Sequence, residues 1–153
     1  LFRDILAVEA TLFQHESKWW LFVNVVENPG ASSWDELHLY FADSPLSDTW
    51  TPHPQNPIVS DVRRSRPAGK LFVRDGVIYR PSQNSLKGQY GYGMKINKVT
   101  RLTTSEYEEI EVDSIEPLWD PRIKGVHTLN QVNRLTMVDG KLTRPKCFRW
   151  GSQ

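Results

Sequence analysis

Apolar and polar residues alternate over short stretches along this chain, and turn-forming residues break the alternation every few positions. The pattern predicts strands rather than helices. Ala7 to Gln14 (AVEATLFQ) is the first strand, closed by a polar turn at His15-Glu16-Ser17. Lys18 to Val26 (KWWLFVNVV) is almost continuously apolar. It is too short, and too rich in aromatic and β-branched residues, to favour a helix, so it predicts a strand covered on both faces. Glu27 to Asp35 is a loop by composition. Glu36 to Ala42 alternates cleanly: Leu37, Leu39 and Phe41 face one way, Glu36, His38 and Tyr40 the other.

Asp43 to Ser60 holds four prolines and Trp50. That density excludes a helix or a central strand and predicts a long surface connection anchored by the indole. Arg66 to Asn84 (RPAGKLFVRDGVIYRPSQN) carries the sharpest local signal. Asp75-Gly76 between apolar runs predicts a hairpin joining Lys70–Val73 to Val77–Arg80. The ends of a hairpin adjoin, so Arg66, Arg80, Gln83 and Asn84 are expected at one rim of the sheet. Tyr90 to Val99 is a further strand interrupted by glycines. Ser105 and Glu108 fit a capping box, which predicts a helical turn over Thr104–Glu108. Ile110 and Val112 mark an edge strand. Val126–Asn130 and Leu135–Val138 follow, with Asp139-Gly140 as a second Asp-Gly turn.

The turns at Glu16, Asp75 and Asp139 recur at intervals of about 60 residues, and small antiparallel sheets at a fixed interval are the mark of a propeller. The Pro-rich insert accounts for the long interval. The expected fold class is all-β, with antiparallel propeller-like blades over 7–58, 66–115 and 126–145 of one domain spanning 1–153. So few units do not close a ring. They belong to a larger propeller or form an open or pairwise assembly.

At 153 residues the chain suits a single domain with a real core. A net charge of +1, with acids and bases interspersed, offers no nucleic-acid groove and no polybasic membrane patch. No apolar run approaches the roughly 18–20 residues of a membrane span. No signal peptide opens the chain, and Leu1 in place of an initiator Met points to a segment cut from something longer. The single cysteine, Cys147, excludes an intrachain disulfide. It fits a reducing compartment, the cytoplasm first, or a secreted domain that does without disulfides. Four histidines and one cysteine show no metal-ligand spacing. Gly88, Gly91 and Gly93 make no phosphate loop, and no G-x-S-x-G elbow is present. No metal and no cofactor are expected.

The block Ser44-Pro45-Leu46, Trp50, His53, Asn56-Pro57, and the run Ile78-Tyr79-Arg80 followed by Gln83, resemble a propeller domain related to glycoside hydrolase family 43. The order of segments from Val8 to Asp139 is most similar to the non-glycosyltransferase domain of plant glucosamine inositolphosphorylceramide transferases. The resemblance implies roughly the last three blades of a five-bladed, glycosidase-like propeller, with a sugar or sugar-containing headgroup as ligand and a fused or partner enzyme domain. The earlier blades, which supply most catalytic carboxylates in the hydrolases, fall outside this match. Glu9 stands where the family tends to have Asp, and Asn84 where an Asp often follows the Gln.

A glycosidase needs two carboxyl groups about 5–10 Å apart. Glu9 is the candidate at the mouth of a blade, with Asp4 and Asp61 as companions; the alternative is a structural acid. Ala68 and Val126 fall near the places equivalent to Glu9. Arg66, Arg80, Gln83 and Asn84 suit a carboxylate, phosphate or polyol, because guanidinium binds anions in pairs of hydrogen bonds and amides both donate and accept. The competing role for both arginines is to tie neighbouring blades together. His127 is the general-base candidate, against a buried histidine bonded to backbone. Tyr90 and Tyr92 are candidate stacking surfaces for a sugar ring, whereas Trp19, Trp20 and Trp50 read as core. Three functions therefore stand at this point: a sugar-binding module, a hydrolase completed by another segment, and a non-catalytic interaction domain.

Overall fold

The computed structural model describes residues 5–26, 28, 30, 32–85 and 91–143. Among these there is no helix, and every strand pairing is antiparallel. Among the described residues no helix is therefore long and apolar enough to cross a membrane.

The first sheet runs β1 (Leu6–His15), β2 (Lys18–Val26), β3 (Glu36–Ala42) and β4 (Thr51–Pro52), with β5 (Val59–Ser60) also on β3. The second runs β6 (Phe72–Arg74), β7 (Val77–Asn84), β8 (Gly93–Leu102) and β9 (Tyr107–Ile115). A third unit is one irregular hairpin. In it β10 (Ile123–Gly125) pairs with β13 (Lys141–Leu142), and β11 (Leu129–Val132) pairs with β12 (Leu135–Val138).

Each unit is built on a hairpin with a two-residue turn: Glu16-Ser17, Asp75-Gly76 and Asn133-Arg134. Glu16, Asp75 and Asn133 all take positive φ, at 52°, 52° and 54°. Such turns match the right-handed twist of the strands they join. The third turn is thus Asn133-Arg134, not the expected Asp139-Gly140. It stands at almost the same interval after Asp75 as Asp75 does after Glu16. The Asp139 side chain is engaged elsewhere: its Oδ1 accepts the amides of His127 (2.9 Å) and Thr128 (2.8 Å). A tertiary bond has overridden a local turn signal.

The expected helical turn over Thr104–Glu108 does not form. Thr103 Oγ1 takes the Ser105 and Glu106 amides instead, and Tyr107 already belongs to β9. The Pro-rich connection behaves as expected of its composition, adding only the two-residue edge strands β4 and β5. Asn56 substitutes for strand backbone there, its side-chain amide bonding both the N–H and the C=O of Leu39 at 2.8 Å. His53, buried, faces the Thr103 carbonyl of the second sheet at 3.1 Å, and Gln55 Oε1 accepts the Tyr107 amide at 2.7 Å. Trp50 is buried over Leu21 and Val23. The Ser44–Pro57 block is therefore a fastener for the first two sheets.

The main core lies between those sheets: Phe13, Trp20, Phe22, Leu37, Leu39 and Val59 against Leu71, Ile78, Val99, Leu102 and Tyr107. A second cluster, Ala68, Met94, Ile96, Val126 and Leu129, joins the second sheet to the third hairpin. Backbones touch at two glycines. A Cβ on Gly69 would collide with the Leu129 carbonyl, and one on Gly125 with the Gly91 carbonyl.

Candidate functional site

The leading strand of each hairpin is broken at a corresponding place. In β1 the register shifts between Val8 and Thr11, and Glu9 sits in the bulge with φ 55°. Left-handed backbone at a non-glycine residue costs about 1 kcal/mol or more and collects at functional positions. In the second unit, Pro67 bridges Ser82 before Ala68-Gly69 leave the ladder, Gly69 with φ 116°. In the third, Val126 to Thr128 separate β10 from β11.

These irregular segments converge. Arg66 Nη2 donates to Glu9 Oε1 at 2.8 Å, and Arg66 Nη1 donates to the Ser33 carbonyl at 3.2 Å. The Leu129 amide donates to the Ala68 carbonyl at 2.7 Å. A mainly polar groove of about 330 Å³ lies along the junction, lined by Glu9, Ala10, Thr11, Leu12, Pro67, Gly69, Lys70 and Thr128. It draws residues from all three units. Beside it the His127 ring is paired with the Asp139 carboxylate.

The four residues expected at one rim do not gather there. The hairpin ends do adjoin, since the Gln83 amide donates to the Arg66 carbonyl at 2.7 Å. The side chains diverge because alternate residues of a strand leave opposite faces. Arg80 is 0% exposed and lies between the first two sheets. Its Nε and Nη2 donate to the two Glu109 oxygens at 2.7 Å each, and Nη2 also donates to the Arg64 carbonyl at 2.7 Å. Tyr107 donates its hydroxyl to Glu109 Oε2 at 2.5 Å. Burial opposes charge on Glu109, but the Arg80 charge and the two donors outweigh it and hold the carboxyl below its ordinary pKa. Gln83, 2% exposed, turns its amide nitrogen onto the Pro67 carbonyl at 3.0 Å. Asn84 is likewise buried. Arg80, Gln83 and Asn84 are thus enclosed where a surface ligand does not reach them, and of the four only Arg66 borders the groove.

Tyr92 donates its hydroxyl to Glu116 Oε2 at 3.2 Å, and the neighbouring carboxylate raises the phenol's pKa. It lines a separate shallow groove with Pro117, Leu118, Pro121, Ile123 and Lys124. Tyr90 and Asp4 lie outside the described residues. Asp61 is bound by Arg63 at 2.8 Å, and hydrogen bonds from Arg63 hold its pKa down. Ala68 and Val126, the positions matching Glu9, are buried and apolar. Among the described residues no cluster of three His, Cys, Asp or Glu side chains could hold a metal ion. Sequence reasoning missed Lys70, Thr128 and Asp139 as neighbours of Glu9, Arg66 and His127. The interval between turns was the available signal: counted from Asp75 to Asn133, it makes Thr128 the counterpart of Lys70 in the next unit.

Comparison with known proteins places these features in context. Residues 2–141 match the family described as "Glucosamine inositolphosphorylceramide transferase 1, N-terminal". The chain is similar to the glucosamine inositolphosphorylceramide transferase 1 of rice (Oryza sativa subsp. japonica), 35% identical over 108 residues, which is 69% of this chain and 14% of the rice protein. It is also similar to the Arabidopsis thaliana protein of the same name, 35% identical over 107 residues, again 69% of this chain and 14% of the relative. No solved structure matches. The chain thus spans about one seventh of the length of these relatives. With nearly all of its described strands inside the matched span, the chain belongs to the N-terminal domain family of glucosamine inositolphosphorylceramide transferase 1.

Proposed function

We propose that this chain is a propeller-type carbohydrate module that binds a sugar or sugar-containing headgroup within a larger sugar-modifying protein. The two four-strand paths and the third hairpin would be blades of a single domain over 1–153, related to the glycoside hydrolase family 43 propellers. The relatives' name specifies glucosamine and an inositol phosphate, and both are polyols with charge. The observation that carries the reading is the polar groove at the junction of the three leading strands, with Glu9 strained beside Arg66 and with Lys70 and Thr128 on its wall. A carboxylate accepts from sugar hydroxyls, and an ammonium donates to phosphate or hydroxyl oxygens. Gln83, bonded to the Pro67 carbonyl, supports the wall of this site, and the buried Arg80 and Asn84 are not its contacts.

Titration calorimetry of the chain with glucosamine, myo-inositol 1-phosphate and methyl glucoside tests the reading. Binding of at least one probe is expected, weakened about tenfold or more by Lys70→Ala and Glu9→Gln, a loss of roughly 1.4 kcal/mol. No heat with any probe, or equal affinity in both variants, would overturn it.

A hydrolase remains the second reading because His127 is paired with Asp139, the arrangement that orients a general base. Glu9 would then be the carboxylate, and its partner would come from a further segment, since Ala68 and Val126 carry no acid. An interaction domain without a ligand is the outcome if the groove binds nothing.

A further inference from the structure

Three apolar side chains of the third hairpin are uncovered. Val132, Leu135 and Met137 are 65%, 63% and 65% exposed. Their register places them together: Val132 opposes Leu135, and Met137 opposes Asn130. The other face of the hairpin carries Leu129 and Thr136 and looks toward the second sheet. So the exposed three share one face with Asn130, whose Oδ1 reaches back to accept the Lys70 amide at 3.1 Å.

The repeat shows what such a face does. Counting outward from each two-residue turn, the pair Phe13–Trp20 in the first unit corresponds to Phe72–Tyr79 in the second and Asn130–Met137 in the third. Phe13 and Trp20 are buried against the second sheet. Phe72 and Tyr79 stack at 5.4 Å and pack on the cluster that holds the third hairpin. Among the described residues the corresponding face in the third unit is left uncovered at Val132, Leu135 and Met137. The edges agree. The outer edge of β2 takes β3 and that of β7 takes β8, whereas among the described residues β12 pairs only with β11. An open edge beside apolar side chains is a template for another strand. The opposite end of the array differs: Leu21 and Val23, 1% exposed, are already covered by Trp50.

We infer that β12 receives an antiparallel strand, and the Val132–Leu135–Met137 face receives apolar side chains, from another part of the same, longer polypeptide. The occupant's chemistry follows from the surface. It is a strand of about five residues, apolar on alternate positions, without acidic side chains over Met137. Its source follows from the family, whose curated relatives extend far beyond the span matched here. This inference rests on the repeat of the three hairpins and not on the sugar reading, so either can fail alone.

The test compares the chain alone with the intact gene product that contains it. Hydrogen exchange of Leu135–Val138 is expected to be slower by at least a hundredfold in the intact protein. Met137→Lys is expected to leave the melting temperature of the chain unchanged and to lower that of the intact protein by several degrees. Equal exchange in both contexts, or an equal effect of Met137→Lys, overturns the inference. A dimer of the isolated chain by light scattering, with Leu135–Val138 already protected, also overturns it by making a second copy the occupant.

Discussion

The two junctions between units use the same geometry and are sealed differently. The first holds large aromatic and aliphatic side chains and, inside them, the Arg80–Glu109 pair with the Tyr107 hydroxyl. The second has a smaller buried cluster and leaves a groove of about 370 Å³ between Phe72, Tyr79, Ile96 and Val112 on one side and Leu129, Gln131 and Thr136 on the other. A repeated hairpin therefore does not dictate how tightly neighbours close. That is decided by the side chains on the facing strands. Aromatic side chains and an ion pair held by two hydrogen bonds fix the first junction, and the second is left adjustable.

The largest expected break in this contrast comes from the ion pair. Glu109→Gln leaves the Arg80 charge buried without its partner, which costs about 3–5 kcal/mol by analogy with other broken buried pairs. Replacing both, Arg80→Met with Glu109→Leu, is expected to recover most of that loss in urea unfolding. If the double variant is no more stable than Glu109→Gln, the pair is not what seals the junction.

Acid gives a smaller, graded effect. The Glu109 carboxyl is held below its ordinary pKa in the folded chain, chiefly by Arg80 against the cost of burial. Its contribution is complete above the unfolded value of about 4.3 and is lost as pH falls through the folded value. The urea midpoint should therefore drop more steeply below about pH 4 in the natural chain than in the Arg80→Met/Glu109→Leu variant. Parallel profiles would exclude Glu109 as the source.

The smallest effect is a gain at the looser junction. Thr136→Leu places apolar volume in the groove beside Leu129 and is expected to add about 0.5–2 kcal/mol, the usual return of cavity filling. A loss of stability would mean that the groove is shaped for something other than a side chain.

Much of this fold is written locally. Lys18–Val26, Glu36–Ala42 and Leu135–Val138 form the strands their periodicity predicts, and Asp75-Gly76 turns where it should. Apart from the Thr104–Glu108 turn, which Thr103 captures locally, the misreadings share one cause, a partner further along the chain. Asp139-Gly140 looks like a turn until Asp139 finds the amides of His127 and Thr128. Glu109 sits in an acidic, alternating stretch that reads as solvent-facing. Only the β7–β8–β9 register brings it under Arg80. The same register hides Gln83 and Asn84. Glu9 and Arg66 were each legible from residue type and position, but their meeting required two sheets to dock.

Gly69 and Gly125 carry a consequence of a different kind. At both, the backbone of one unit rests against the carbonyl of another where a single added carbon would collide. The spacing between units is thus gauged by an absent methyl group. A methyl at either position would have to wedge neighbouring hairpins apart, and the groove that spans them would widen with it. The dimensions of the groove are in this sense set by two residues without a side chain, Gly69 on its wall and Gly125 at the neighbouring contact.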